Sequence, residues 1–198
     1  MTTAWGVIRH PIQTFRLVSD EHAVDWWVAV TPYAIVLSLG VVGGSVAALR
    51  GIPDSAPTGV AIGVILIALV VGVGAALVLN VVSMGVFLLF HVFSAAVEKD
   101  TPSNACFLSC LLLSFWSQTP LAGVTFAVRL LTDDPTGFAS SPAGSWLELV
   151  GVMSGIWLLA LQCSILHVVS RYSFGFALSV GVILGLAFHV TPWVAGRI

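Results

Sequence analysis

TGVAIGVILIALVVGVGAALVLNVVSMGVFLLFHVFSAAV, residues Thr58 to Val97, runs for forty residues without one Asp, Glu, Lys or Arg. A hydrocarbon layer about 30 Å thick is crossed by about 20 apolar residues rising 1.5 Å each. This stretch can therefore extend well beyond one crossing. In lipid only a helix satisfies its own backbone without leaving an open edge, and the run lacks the alternation of a barrel strand. A single long, tilted helix is expected, with Phe90-His91-Val92-Phe93 reaching out of the hydrocarbon. Two short spans broken near Asn80 and Ser83 form the alternative, although Val-Leu-Asn-Val-Val-Ser-Met-Gly makes a poor turn.

Outward from this run the same pattern repeats. Asp25 to Arg50, Asp100 to Arg129, Glu148 to Arg171 and Arg171 to Arg197 each bracket a charge-free stretch long enough to span. The fold expected is an all-α integral membrane protein, a five-transmembrane-helix bundle with spans at about 26–49, 59–96, 104–131, 146–169 and 173–193. Composition agrees: 58% of the 198 residues are apolar and 8% charged, and mean hydropathy is +1.06, against about 45–50% apolar and about 25% charged in soluble domains. A cytosolic enzyme, a nucleic-acid binder and a disordered chain are thereby set aside. Seven basic and nine acidic residues provide no positive field for phosphate backbones. Thr101-Pro102 and Ser141-Pro142 read as starts of the helices that follow them.

Residues 1–25 form a separate N-terminal interfacial segment before the 26–198 membrane domain. His10-Pro11 and the acids from Asp20 to Asp25 interrupt any signal-peptide core. Ile8, Ile12 and Phe15 recur at helical spacing with Arg9, Gln13 and Arg16 on other faces, which predicts a short helix in the headgroup layer. Trp26 and Trp27 then anchor the first span. Arg9, Arg16, Lys99 and Arg171 on one side outnumber Arg50, Arg129 and Arg197 on the other, which places the N-terminus inside.

Three groups of residues are candidates for function. Gly40/Gly44, Gly59/Gly63, Gly151/Gly155 and Gly181/Gly185 form small-xxx-small ridges, which let backbones approach where no hydrophobic effect drives association. They serve packing within the chain or docking on another subunit. Ser114, Ser117, Gln118 and Thr119 precede Pro120, whose missing N–H bends the third span. Hydroxyls there satisfy the freed carbonyls, or they line a solute path. His91, His167 and His189 lie near span ends, where a histidine is a hydrogen-bonded interfacial side chain or a ligand to haem or pigment. Cys106 and Cys110 share a helix face without a matching histidine or carboxylate, so the thiols are expected free and no metal is expected. There is no GxSxG, no HExxH and no carboxylate pair within a span, so no catalytic residues and no cofactor are assigned.

Read in order, several segments resemble the Yip family of five-helix membrane proteins. His10-Pro11-Ile12-Gln13-Thr14-Phe15 is similar to its leading Pro-x-x-Thr-Phe segment. Leu89-Phe90-His91-Val92-Phe93 with Phe107 resembles the exit of its second helix, and Phe115 to Pro120 its aromatic-Ser-x-x-Pro segment. Trp157 to His167 with Ser170-Arg171-Tyr172-Ser173 resembles its fourth helix and following turn. Glu98-Lys99-Asp100 departs from the family's Gly-Gly turn. The resemblance implies a short prokaryotic-type member of the cytoplasmic membrane, a non-catalytic scaffold or accessory subunit. Its partners would be membrane lipids and other membrane subunits or a second copy, with no nucleic acid. GTPase binding, known for eukaryotic relatives, is not carried over to a segment of about 25 residues. A small-solute or ion transporter and a haem- or pigment-binding subunit are the alternatives.

Overall fold

Asp25 opens the first long helix, because its carboxylate accepts the Trp27 N–H at 3.1 Å and so satisfies one of the free donors of the first turn. A computed structural model describes residues 2–21, 25–52, 57–97, 101–132 and 141–187. Helices α1 (Thr2–Arg9) and α2 (Pro11–Glu21) come first, then α3 (Trp26–Arg50) and α4 (Thr58–Val97). Helix α5 (Asn104–Leu113) continues through a 3₁₀ turn, Ser114–Ser117, into α6 (Thr119–Leu131), and α7 (Pro142–Val169) and α8 (Phe174–Gly185) follow. No strand occurs among the described residues.

Serine caps set the other starts. Ser103, Ser141 and Ser173 accept the N–H groups of Cys106, Gly144 and Phe176 at 3.3, 3.1 and 3.3 Å. Ser141-Pro142 is thus the cap and first residue of α7, whereas Thr101-Pro102 precedes the true cap of α5 by a residue. At the far end of the bundle Arg50 closes α6. Its Nη1 donates to the carbonyl oxygens of Arg129 (2.8 Å) and Thr132, and its Nη2 to that of Leu130 (2.6 Å). These are carbonyls that a helix C-terminus leaves free.

Helix α4 is continuous over its 40 residues, about 60 Å at helical rise, as the single-helix reading expects. Three described helices are long and apolar enough to cross a membrane: α3, the Asn80–Val97 part of α4, and α7. The pair Asn104–Ser117 and Thr119–Leu131, bent by 45°, makes a fourth if it is one span. By this architecture the chain is a helical membrane protein. Large apolar side chains point outward along these helices, among them Val81 at 63% and Trp146 at 66% exposure.

Helix α5 is the exception: Phe107, Cys110, Leu111, Leu112 and Leu113 are all buried. Helices α2, α3, α4 and α7 pack around it. One short interfacial helix was expected before the first span, but the structure has two. The ring of Pro11 disfavours helical geometry at His10, and the chain turns so sharply that Gly6 lies against Thr14. This elbow is not a lone helix on a surface. Val7 and Phe15 are fully buried in the common core, with α2 against α5 and α7 and α1 against the 3₁₀ turn.

Candidate functional site: a histidine node and a bent span

His91 is fully buried near the end of α4. Its Nε2 lies 3.1 Å from the carbonyl oxygen of Pro102, which only accepts, so Nε2 carries the proton. Nδ1 then accepts the Ser170 hydroxyl at 2.8 Å. Ser94, one turn beyond His91, donates to the Ser170 carbonyl at 2.6 Å. The Phe107 ring stacks on the imidazole with centroids 4.3 Å apart and planes 1° from parallel. One neutral side chain thus joins α4, the α4–α5 turn, α5 and the α7–α8 turn.

That last turn is shaped for the purpose. Arg171 has φ 57, the left-handed region that costs a residue with a Cβ about 1 kcal/mol or more. The reversal lets Tyr172 donate its hydroxyl to the Phe90 carbonyl at 2.9 Å and set its ring against Phe90 and Phe176. His167 Nδ1 donates to the Tyr172 carbonyl at 2.6 Å, while its side chain stays exposed. His91 and His167 are therefore held by separate bonds, and both ring nitrogens of His91 are engaged, so a metal would have to displace one partner. His189 lies outside the described residues. Among the described residues no group of three or more His, Cys, Asp or Glu is placed to hold a metal ion. Among the described residues Cys106, Cys110 and Cys163 form no disulfide.

The bend between α5 and α6 is closed by its own side chains. Ser114, Ser117 and Thr119 donate to the carbonyls of Leu111, Ser114 and Phe115 at 2.6, 2.8 and 3.3 Å. Pro120 sits in the first turn of α6, where its missing N–H costs no bond. Gln118 reaches across to α7: its amide donates to the Ser154 carbonyl at 2.8 Å and accepts the Ser154 hydroxyl at 2.8 Å. Two buried polar atoms beside this bend have no partner among the described residues, Tyr33 Oη and Trp116 Nε1, and the Tyr33 ring meets Phe115 edge-on at 5.0 Å. Gln118→Leu is expected to lower stability by about 1 kcal/mol, and a cycle with Ser154→Ala to give a coupling of about 0.6–1.7 kcal/mol. Unfolding of the two single and one double variants in detergent reads it.

The glycine ridges separate into two kinds. A Cβ on Gly181 would overlap Cys163 Sγ, and one on Gly185 would lie 3.1 Å from Leu159 Cδ1, so this ridge seats α8 on α7. On α3 the close contact is made by Gly43, with Phe126 and Arg129 at 3.4 and 3.3 Å from a Cβ there, while Gly44 meets only Arg129 Nη1 at 3.9 Å. Among the described residues Gly40, Gly59, Gly63 and Gly151 meet nothing within 4 Å; there they are open grooves rather than crossings. Gly155 is half-buried. Spacing alone does not reveal Gly43, Arg50, Ser154 or Ser170. The signals available were an adjacent Gly-Gly pair, a basic residue at a helix end, and lone serines on apolar helices.

No family model, no curated protein and no solved structure matches this chain.

Proposed function

We propose that the chain is a non-catalytic multi-pass protein of a prokaryotic cytoplasmic membrane, of the Yip-domain type, with its N-terminus inside and five spans. It acts as a scaffold or accessory subunit that packs laterally against partner membrane proteins or a second copy. One observation carries this reading. Gly59 and Gly63 lie a turn apart on α4 with nothing among the described residues within 4 Å of a Cβ there, and the nearby Val60, Ile62, Leu66 and Ile67 are all more than half exposed. Such a groove admits a second helix at close backbone distance. The polar groups on which a solute path or a haem site would draw are engaged instead in bonds within the chain, at His91 and at Gln118.

The test is co-purification from mild detergent with and without crosslinking. The wild type is expected to retain a partner subunit or a second copy. Gly59→Leu/Gly63→Leu, altered only at the open groove, is expected to lose recovered complex about tenfold, or about 1.4 kcal/mol of association. A strictly monomeric wild type, even after crosslinking, overturns the reading.

A further inference from the structure

From the two-sided build of the N-terminal elbow we infer that its outer face is a docking surface for anionic phospholipid headgroups of the leaflet beside it. The inner side of the elbow holds Val7, Phe15 and Val18, all buried. The outer side shows Ile8, Ile12 and Leu17 at 38, 47 and 58% exposure, with Arg9, Gln13 and Arg16 exposed among them. Ile12 and Arg16 are four residues apart on α2 and share a face. Residues 1–19 carry these two arginines and no Asp or Glu; the first acid is Asp20. Exposed apolar side chains interleaved with arginines are the pattern of a segment lying in the headgroup layer of an acidic leaflet.

The packing places the elbow at the matching depth. Cys106 Sγ donates to the Val18 carbonyl at 3.6 Å, which sets the end of α2 level with the start of α5. At the other limit, α1 packs on the 3₁₀ turn, whose Phe115 ring meets Tyr33. Tyr33 lies seven residues beyond Trp26, about 10 Å along α3. The elbow thus lies along the part of the bundle between the start of α5 and the 3₁₀ turn, beside the first turns of α3 that lead from Trp26 to Tyr33, and interfacial amphipathic helices rest within such a distance of a span's end. There the arginine stems lie along apolar surface while the guanidinium groups reach the phosphates. A neutral headgroup offers no net charge to them.

This inference is independent of the lateral-packing function and is tested on the full chain in detergent. Native mass spectrometry is run with phosphatidylglycerol or phosphatidylcholine of identical acyl chains. The wild type is expected to retain phosphatidylglycerol preferentially. Arg9→Gln and Arg16→Gln are each expected to weaken that preference about fivefold, and the pair roughly thirtyfold, the factor that one basic residue contributes at an acidic surface. Excess inorganic phosphate should leave the lipid bound. A wild type that binds both lipids equally, a double variant that keeps the preference, or displacement by free phosphate each overturns the inference. Independently, an environment-sensitive fluorophore on Leu17→Cys, with labelled wild type as blank, should shift to the blue in phosphatidylglycerol vesicles. Emission unchanged from water would also overturn it.

Discussion

His91→Ala should lower the stability of the detergent-solubilised protein by about 3 kcal/mol, a fall in Tm of about 6–12 °C for a chain of this size. The imidazole satisfies the Ser170 hydroxyl and the Pro102 carbonyl and fills the space against Phe107. Removing it leaves a cavity and two polar groups without their partner. Two further variants separate these causes. His91→Phe keeps a ring on Phe107 but no nitrogen, and should still cost about 2 kcal/mol. Ser170→Ala, which removes only the donor to Nδ1, should cost about 1 kcal/mol. A His91→Phe protein as stable as the wild type would show that stacking, and not the hydrogen-bonded node, holds the turns together.

Gly181→Val is expected to be similarly damaging, at about 3 kcal/mol. A Cβ at this position overlaps Cys163 Sγ, and both residues are buried between α7 and α8. Extra volume in a close-packed contact forces side chains off their rotamers or moves the backbone. The sulfur is the specific obstacle, so the milder Gly181→Ala should be largely rescued by Cys163→Ala, with a favourable coupling in the double-variant cycle. Thermal unfolding followed by loss of monodisperse protein measures it. Gly151→Ala on α7, where a Cβ meets nothing, is the matched control and should change stability little. Because Ala favours a helix over Gly, equal losses at 151 and 181 would mean that a general effect of the added methyl, and not the sulfur contact, decides the outcome.

The long helices were legible because absence of charge is a local property. The run from Thr58 to Val97 states its own helix, and Ser141-Pro142 its cap. The bend before Pro120 was legible for the same reason, since a missing N–H and nearby hydroxyls act within one turn. Partnerships were not. Ser170 lies 79 residues from His91, and nothing in either neighbourhood marks the other. The glycine ridges show the limit most clearly: alike in spacing, one seats α8 on α7 while Gly59 and Gly63 on another meet no described residue, and only the path of the chain decides which. The elbow was half legible. Pro11 announces a break, but the burial of Val7 and Phe15 depends on a gap beside α5 that only the assembled bundle creates.

That gap bears on the order of biosynthesis. Part of the surface against which α2 rests belongs to α7, whose last residue, Val169, is made almost 150 residues after α2 ends. At ordinary elongation rates the interval is on the order of ten seconds or more. Throughout it α2 waits without part of its final seat. An early helix is thus seated by a late one, and a nascent protein stalled before α7 would present the open side of α2 to whatever insertion factor or chaperone stands at the membrane.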